Sequence, residues 1–161
     1  MNTKATLNFI ILFLVVSLTC SAQVAKDTLN VLFVGNSYTY YENLPQIVSL
    51  ISDAAKTKIV TKKSTIGGSK LRQHWLGERG LKTKELIKSG IFDIVVLQEH
   101  SMGTIKEPDS LAKYSKLLCD YIKKYNAKPY FYLTWAREKT PEVQETITKI
   151  YTNVAKGNDA I

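Results

Sequence analysis

The chain has 161 residues, enough for one domain of ordinary size. At 45% hydrophobic and 22% charged it is globular rather than disordered. The net charge is +8, but the lysines are scattered (Lys56, Lys62, Lys84, Lys123) and no nucleic-acid-binding motif accompanies them, so a solvated basic surface is expected and nucleic acid is not.

Residues 1–22 differ from the rest. Lys4 precedes an apolar run from Phe9 to Leu18, and Cys20-Ser21-Ala22 follows: a charged start, a short hydrophobic stretch and a small-residue cleavage site. The run is short for a membrane span. Cleavage after Ala22 and export to the periplasm or exterior are expected, with no transmembrane segment left. Cys20 would suit a lipid anchor, but Ser17 stands where such anchors usually carry leucine, so free export is the expectation. Residues 23–28 are a short polar lead-in. With Cys20 removed, Cys119 has no partner for a disulfide and sits in a helical pattern as a core thiol.

From residue 29 short apolar runs alternate with amphipathic stretches. Asn30 to Val34 is an apolar strand. Leu44, Ile47, Val48 and Ile51 recur at helical spacing, with Pro45 in the first turn. Lys58 to Thr65 is a second, weaker strand ended by Gly67-Gly68. Residues 69 to about 89 read as a helix interrupted near Gly77 and Gly80. Phe92 to Leu97 is a continuous, β-branched strand. Asp109 or Ser110 caps a helix with Leu111, Leu118 and Ile122 on its face. Pro129 to Trp135 is a fourth strand, and a last helix starts near Pro141. This β-α-β-α-β-α-β-α order predicts an α/β fold with a parallel sheet covered on both faces.

In such sheets ligands bind beyond the carboxyl ends of the strands. Those ends here are Gly35-Asn36-Ser37, Gly67-Gly68-Ser69, Gln98-Glu99-His100-Ser101 and Thr134-Trp135-Ala136-Arg137, and small or polar residues collect at each. Ser37 could be a nucleophile or simply a turn and helix-cap residue. The backbone amides of Ser37 and of Gly67 or Gly68 could hold an oxyanion, with Asn36 or Gln98 as a side-chain donor. His100 projects from a neighbouring strand end, and Trp135 could stack on a sugar or pack as core. Neither histidine has metal-ligand spacing, and there is no phosphate-binding glycine motif; no metal and no cofactor are expected.

"VLFVGNSYTYYENLP", "TIGGSKLRQHW" and "DIVVLQEHS", in that order, resemble the SGNH (GDSL-like) hydrolase superfamily over about residues 29–156. The resemblance implies a flavodoxin-like three-layer sandwich and an esterase acting on a small acyl ester, such as an acetylated carbohydrate. It implies Ser37 as nucleophile and Gly67 or Gly68 as backbone oxyanion donor. The superfamily's third block carries an asparagine donor that "QEHSM" lacks, and Gln98 takes its place. Asn36, His100 and Trp135 are expected to bind substrate. The superfamily's base is a histidine in an Asp-x-x-His motif after a fifth strand, and no such motif occurs in these residues. Residues 29–161 therefore read as the N-terminal part of a longer hydrolase, nearly inactive as it stands. The other reading is a non-catalytic glycan- or anion-binding module. The oligomeric state is not legible.

Overall fold

A computed structural model of the protein describes residues 27–161. The expected signal segment and most of the lead-in lie outside the described residues. The elements are β1 (Thr28–Gly35), α1 (Ser37–Tyr40), α2 (Leu44–Ser52), β2 (Lys58–Thr65), α3 (Leu71–Leu76), α4 (Thr83–Lys88), β3 (Ile94–Leu97), α5 (Gly103–Lys106), α6 (Pro108–Lys124), β4 (Lys128–Phe131) and α7 (Gln144–Gly157). The four strands form one sheet in the order β2-β1-β3-β4, and every pairing is parallel. The chain thus starts in the middle, turns to one edge, then crosses back over β1 to build the other side. The reversal of direction falls between β1 and β3, where ligands bind in open sheets of this type.

Burial follows from strand alternation. Leu32 and Val34 of β1 join Val95 and Leu97 of β3 in a core closed by Leu71, Ile87, Leu111, Leu118 and Ile122. Val31 and Phe33, whose side chains leave the opposite face, are buried as well, so β1 is covered on both sides. Edge strand β2 is different: its Lys62 and Lys63 are exposed, and charges on an edge discourage pairing with other chains. Cys119 lies fully inside the core, where burial pushes its thiol up to about 12, too high for a reactive thiolate. At the other edge, Ile161 lies alongside β4: its N–H donates to Pro129 O at 3.2 Å and its carbonyl accepts from Phe131 N at 2.6 Å.

The helix expected over 69–89 with an interruption near Gly77 and Gly80 is two short helices, α3 and α4. Gly77 (φ 70°) ends α3 in a left-handed cap, and Arg79 (φ 56°) and Gly80 (φ 77°) keep the backbone left-handed. The strand expected to run to Trp135 stops at Phe131, because beyond it the chain leaves the sheet. The segment after β1 forms a turn of helix, α1, where none was predicted. No helix among the described residues is long and apolar enough to cross a membrane.

Leu32 is fully buried at the centre of this core. Leu32→Ala should lower stability by about 2–5 kcal/mol through lost burial and a residual cavity. Urea unfolding followed by circular dichroism measures it; a midpoint equal to wild type would mean that β1 is not the centre of the core.

Candidate active site

Ser37 is the first residue of α1, directly beyond the end of β1. Its position is set by a crowded turn. Asn36 accepts a hydrogen bond from Tyr38 N at 3.1 Å and so caps α1. The backbone N–H of Asn36 donates to Gln98 Oε1 at 2.9 Å, and Thr39 Oγ1 donates to the same oxygen at 2.9 Å. Gln98 follows β3, so one carboxamide ties the first strand's turn to the third strand's end. There is no room for a side chain at residue 35: a Cβ there would lie 2.4 Å from Thr39 Oγ1 and 2.5 Å from Gln98 Oε1. Glycine is required by this close approach.

A second clamp joins the turn to the loop after β2. Asn36 Nδ2 donates to Ser69 O at 2.9 Å, and Ser69 Oγ donates to Gly35 O at 2.8 Å. His74, fully buried on α3, approaches Gly35 O at 3.1 Å and Ser69 Oγ at 3.0 Å through Nε2. Gly35 O can only accept, so Nε2 carries the hydrogen and Nδ1 accepts from Thr83 Oγ1 at 2.7 Å. The ring is neutral: burial outweighs the Gly35 hydrogen bond and lowers its pKa to about 4.

The parallel register pairs Gly35 with Thr65, so Gly67 and Gly68 stand about as far past β2 as Ser37 stands past β1. Both are exposed; a Cβ on Gly67 would meet Tyr40 Oη of α1 at 3.2 Å, and Gly68 has φ 67°. The amides of Ser37, Gly67 and Gly68 have no protein acceptor among the described residues, and neither does Ser37 Oγ. Ser37 opens on a groove of about 470 Å³ lined also by Tyr38, Tyr41, Glu42, Leu44, Ile47, Tyr132 and Trp135. The Tyr38 and Trp135 rings stack at 4.8 Å and 14°, and Tyr132 meets Trp135 edge-on at 6.4 Å. The lining is therefore aromatic and aliphatic, with Glu42 its sole charge.

Of the residues singled out in the sequence, Ser37 and Trp135 line this groove. Asn36 and Gln98 lie beneath it, 2% and 1% exposed. Gln98 gives its oxygen to the turn and donates its amide to Glu99 O. That places Gln98 as a brace and leaves the third oxyanion donor unassigned. His100 is outside the groove, with Nδ1 accepting from Met102 N at 3.4 Å. Burial, then the nearby Lys70 and Arg137, hold its pKa below the usual imidazole value.

Sequence reasoning missed Leu44, Ile47 and Tyr132 as groove residues. It also missed Glu99, which is buried between the β2 loop and α5. Glu99 Oε2 accepts from Leu71 N at 3.2 Å, Oε1 accepts from His100 N at 2.6 Å, and a Cβ at Gly103 would touch its Cγ at 2.8 Å. Burial raises its pKa to about 7, against the pull of those two amides.

Glu99 and His74 bend stability with pH in opposite senses. Glu99 contributes most below its unfolded value of about 4.5, and that contribution is lost as pH rises through about 7. His74 contributes above about 6.5 and loses its share as pH falls through about 4. Glu99→Gln removes the first slope. Its urea midpoint should rise from pH 4.5 to 6.5 more steeply than that of wild type and should not decline between pH 6.5 and 7.5. Parallel profiles would show that Glu99 does not titrate across this range.

No protein-family description matches the chain, and no curated protein matches it. Solved structures do. A DUF4886 family protein from Bacteroides uniformis superposes with a TM-score of 0.67 at 17% identity, covering 84% of this chain and 66% of its own. AlinE4, an SGNH-hydrolase family esterase, gives 0.62 at 11% identity, covering 84% and 75%. The psychrotrophic esterase EstA from Pseudoalteromonas gives 0.60 at 14% identity, covering 81% and 74%. The chain thus spans between two thirds and three quarters of these proteins. The strand order, the turn after β1 and these superpositions agree on one conclusion: the chain has the α/β fold of the SGNH hydrolases.

Proposed function

We propose that the protein is an exported serine ester hydrolase of SGNH type with Ser37 as nucleophile. The observation that carries the reading is the presentation of Ser37: a braced turn at the end of β1 holds an unengaged hydroxyl at the mouth of an apolar groove. Ser37 Oγ attacks the ester carbon; the Oγ–C bond forms as the hydroxyl proton passes to a base. The ester C–O bond then breaks, and the alcohol leaves with that proton. Water, deprotonated by the same base, releases the acid and restores Ser37. The amides of Ser37 and of Gly67 or Gly68 donate to the oxyanion.

No Asp-x-x-His occurs in the sequence and no histidine reaches Ser37 Oγ among the described residues. The reading needs a general base that the described residues do not bring to Ser37, so residues 1–161 alone should turn over slowly. The groove is larger and more apolar than an acetyl group requires, which supports a longer acyl chain over the acetyl ester suggested by the resemblance. The stacked Tyr38 and Trp135 at the groove also support a second reading, a binding module that holds a ligand without turnover.

Imidazole added as an external base separates the two. With it, cleavage of p-nitrophenyl octanoate by the chain should exceed that by Ser37→Ala about tenfold or more, since a general base contributes on the order of 10²–10⁴ in rate. Octanoate should outpace acetate after subtraction of the imidazole background. Equal cleavage by chain and variant, with octanoate still binding, would favour the binding module.

A further inference from the structure

Beside the apolar groove, the same end of the sheet carries a cationic ledge. Arg137 lies two residues beyond Trp135, which bounds the groove. Its guanidinium is exposed and donates to the buried Ser101 Oγ at 3.1 Å. That bond fixes the planar fork above the end of β3. Lys106 closes α5, which begins directly after the His100 turn, and is exposed. Lys70 follows the Gly67-Gly68-Ser69 loop and pairs with Glu107. The Arg137–Ser101 bond and the Lys70–Glu107 pair stand on the two sides of α5, with Lys106 adjoining Glu107 at its end. Glu107 offsets one positive charge; neither Arg137 nor Lys106 has a carboxylate partner among the described residues.

A pinned guanidinium flanked by a lysine suits a carboxylate or phosphate, because its donors are already oriented. The Ser37 groove, which Trp135 lines, suits an alkyl or aryl group. We propose that the site takes a soluble amphiphilic ester, its apolar acyl group in the Ser37 groove and an anionic alcohol, such as a sugar acid, at Arg137 and Lys106. This rests on the reading of the groove as the substrate site, but not on Ser37 being a competent nucleophile.

Calorimetric titration of the whole chain with monomeric octyl glucuronide and octyl glucoside tests it, because the two differ only in the carboxylate. At low salt the glucuronide should bind about tenfold tighter, the scale of one hydrogen bond between charged groups. The preference should shrink to within about twofold in Arg137→Gln and in 0.5 M salt. Glucoside affinity, carried by the groove, should be unchanged in that variant. Equal affinity for the two ligands would overturn the proposal and leave the groove standing. Binding of neither would overturn both. Binding to vesicles of anionic phospholipid but not to octyl glucuronide would make the ledge a membrane contact and also overturn it.

Discussion

The fold and the site meet in one carboxamide. Gln98 Oε1 accepts hydrogen bonds from Asn36 N and Thr39 Oγ1, residues some sixty positions earlier in the chain. Both donors belong to the turn that carries Ser37, and the acceptor belongs to the end of β3. Each bond is buried, so losing the acceptor would strand a buried amide and a buried hydroxyl at about 1–3 kcal/mol apiece. The contact also dictates residue 35, since no side chain fits between β1 and Gln98. The direction in which Ser37 points is thus set by a long-range bond and by the absence of a side chain, not by the local helical preference of Ser-Tyr-Thr-Tyr.

His74 plays the corresponding part on the other flank. Its neutral ring donates to Gly35 O, the carbonyl that Ser69 Oγ also reaches. The loop bearing Gly67 and Gly68 is therefore anchored to the same turn through Ser69, next in sequence. The Glu99 carboxylate anchors the following residues by accepting from Leu71 N–H and the next turn by accepting from His100 N–H. Three buried polar side chains, from β3's end and from α3, hold three loops in register around Ser37. A fully satisfied network of this kind rigidifies what it connects, and fixed donors are what stabilisation of an oxyanion demands.

The strands, and the ends of the first three, were legible in the sequence. Apolar runs such as Phe92 to Leu97 cannot be satisfied outside a covered sheet, and small polar residues after each run mark where it emerges. The residues that build the groove were not legible. Pro129 to Trp135 is aromatic or apolar but for Thr134, so periodicity could not show that Tyr132 and Trp135 leave the sheet and that Trp135 stacks on Tyr38. Leu44 and Ile47 looked like core positions of a helix, yet both line the groove and Ile47 is substantially exposed. Gln98 was read as an oxyanion donor because its residue type suits that role. Only the three-dimensional arrangement shows its oxygen committed to the Asn36 turn. Residue type alone did not distinguish His74 from His100, although its burial and its three partners make it the more tightly integrated of the two.

The measurement closest to the central claim, that the turn presents Ser37 as a nucleophile to the groove, is covalent capture by an octyl fluorophosphonate, read by peptide mass spectrometry. The account predicts a single slow adduct on the peptide containing Ser37, absent in Ser37→Ala, and faster with the octyl than with the ethyl reagent. An adduct on a tyrosine or another serine, or equal labelling of chain and variant, would contradict it.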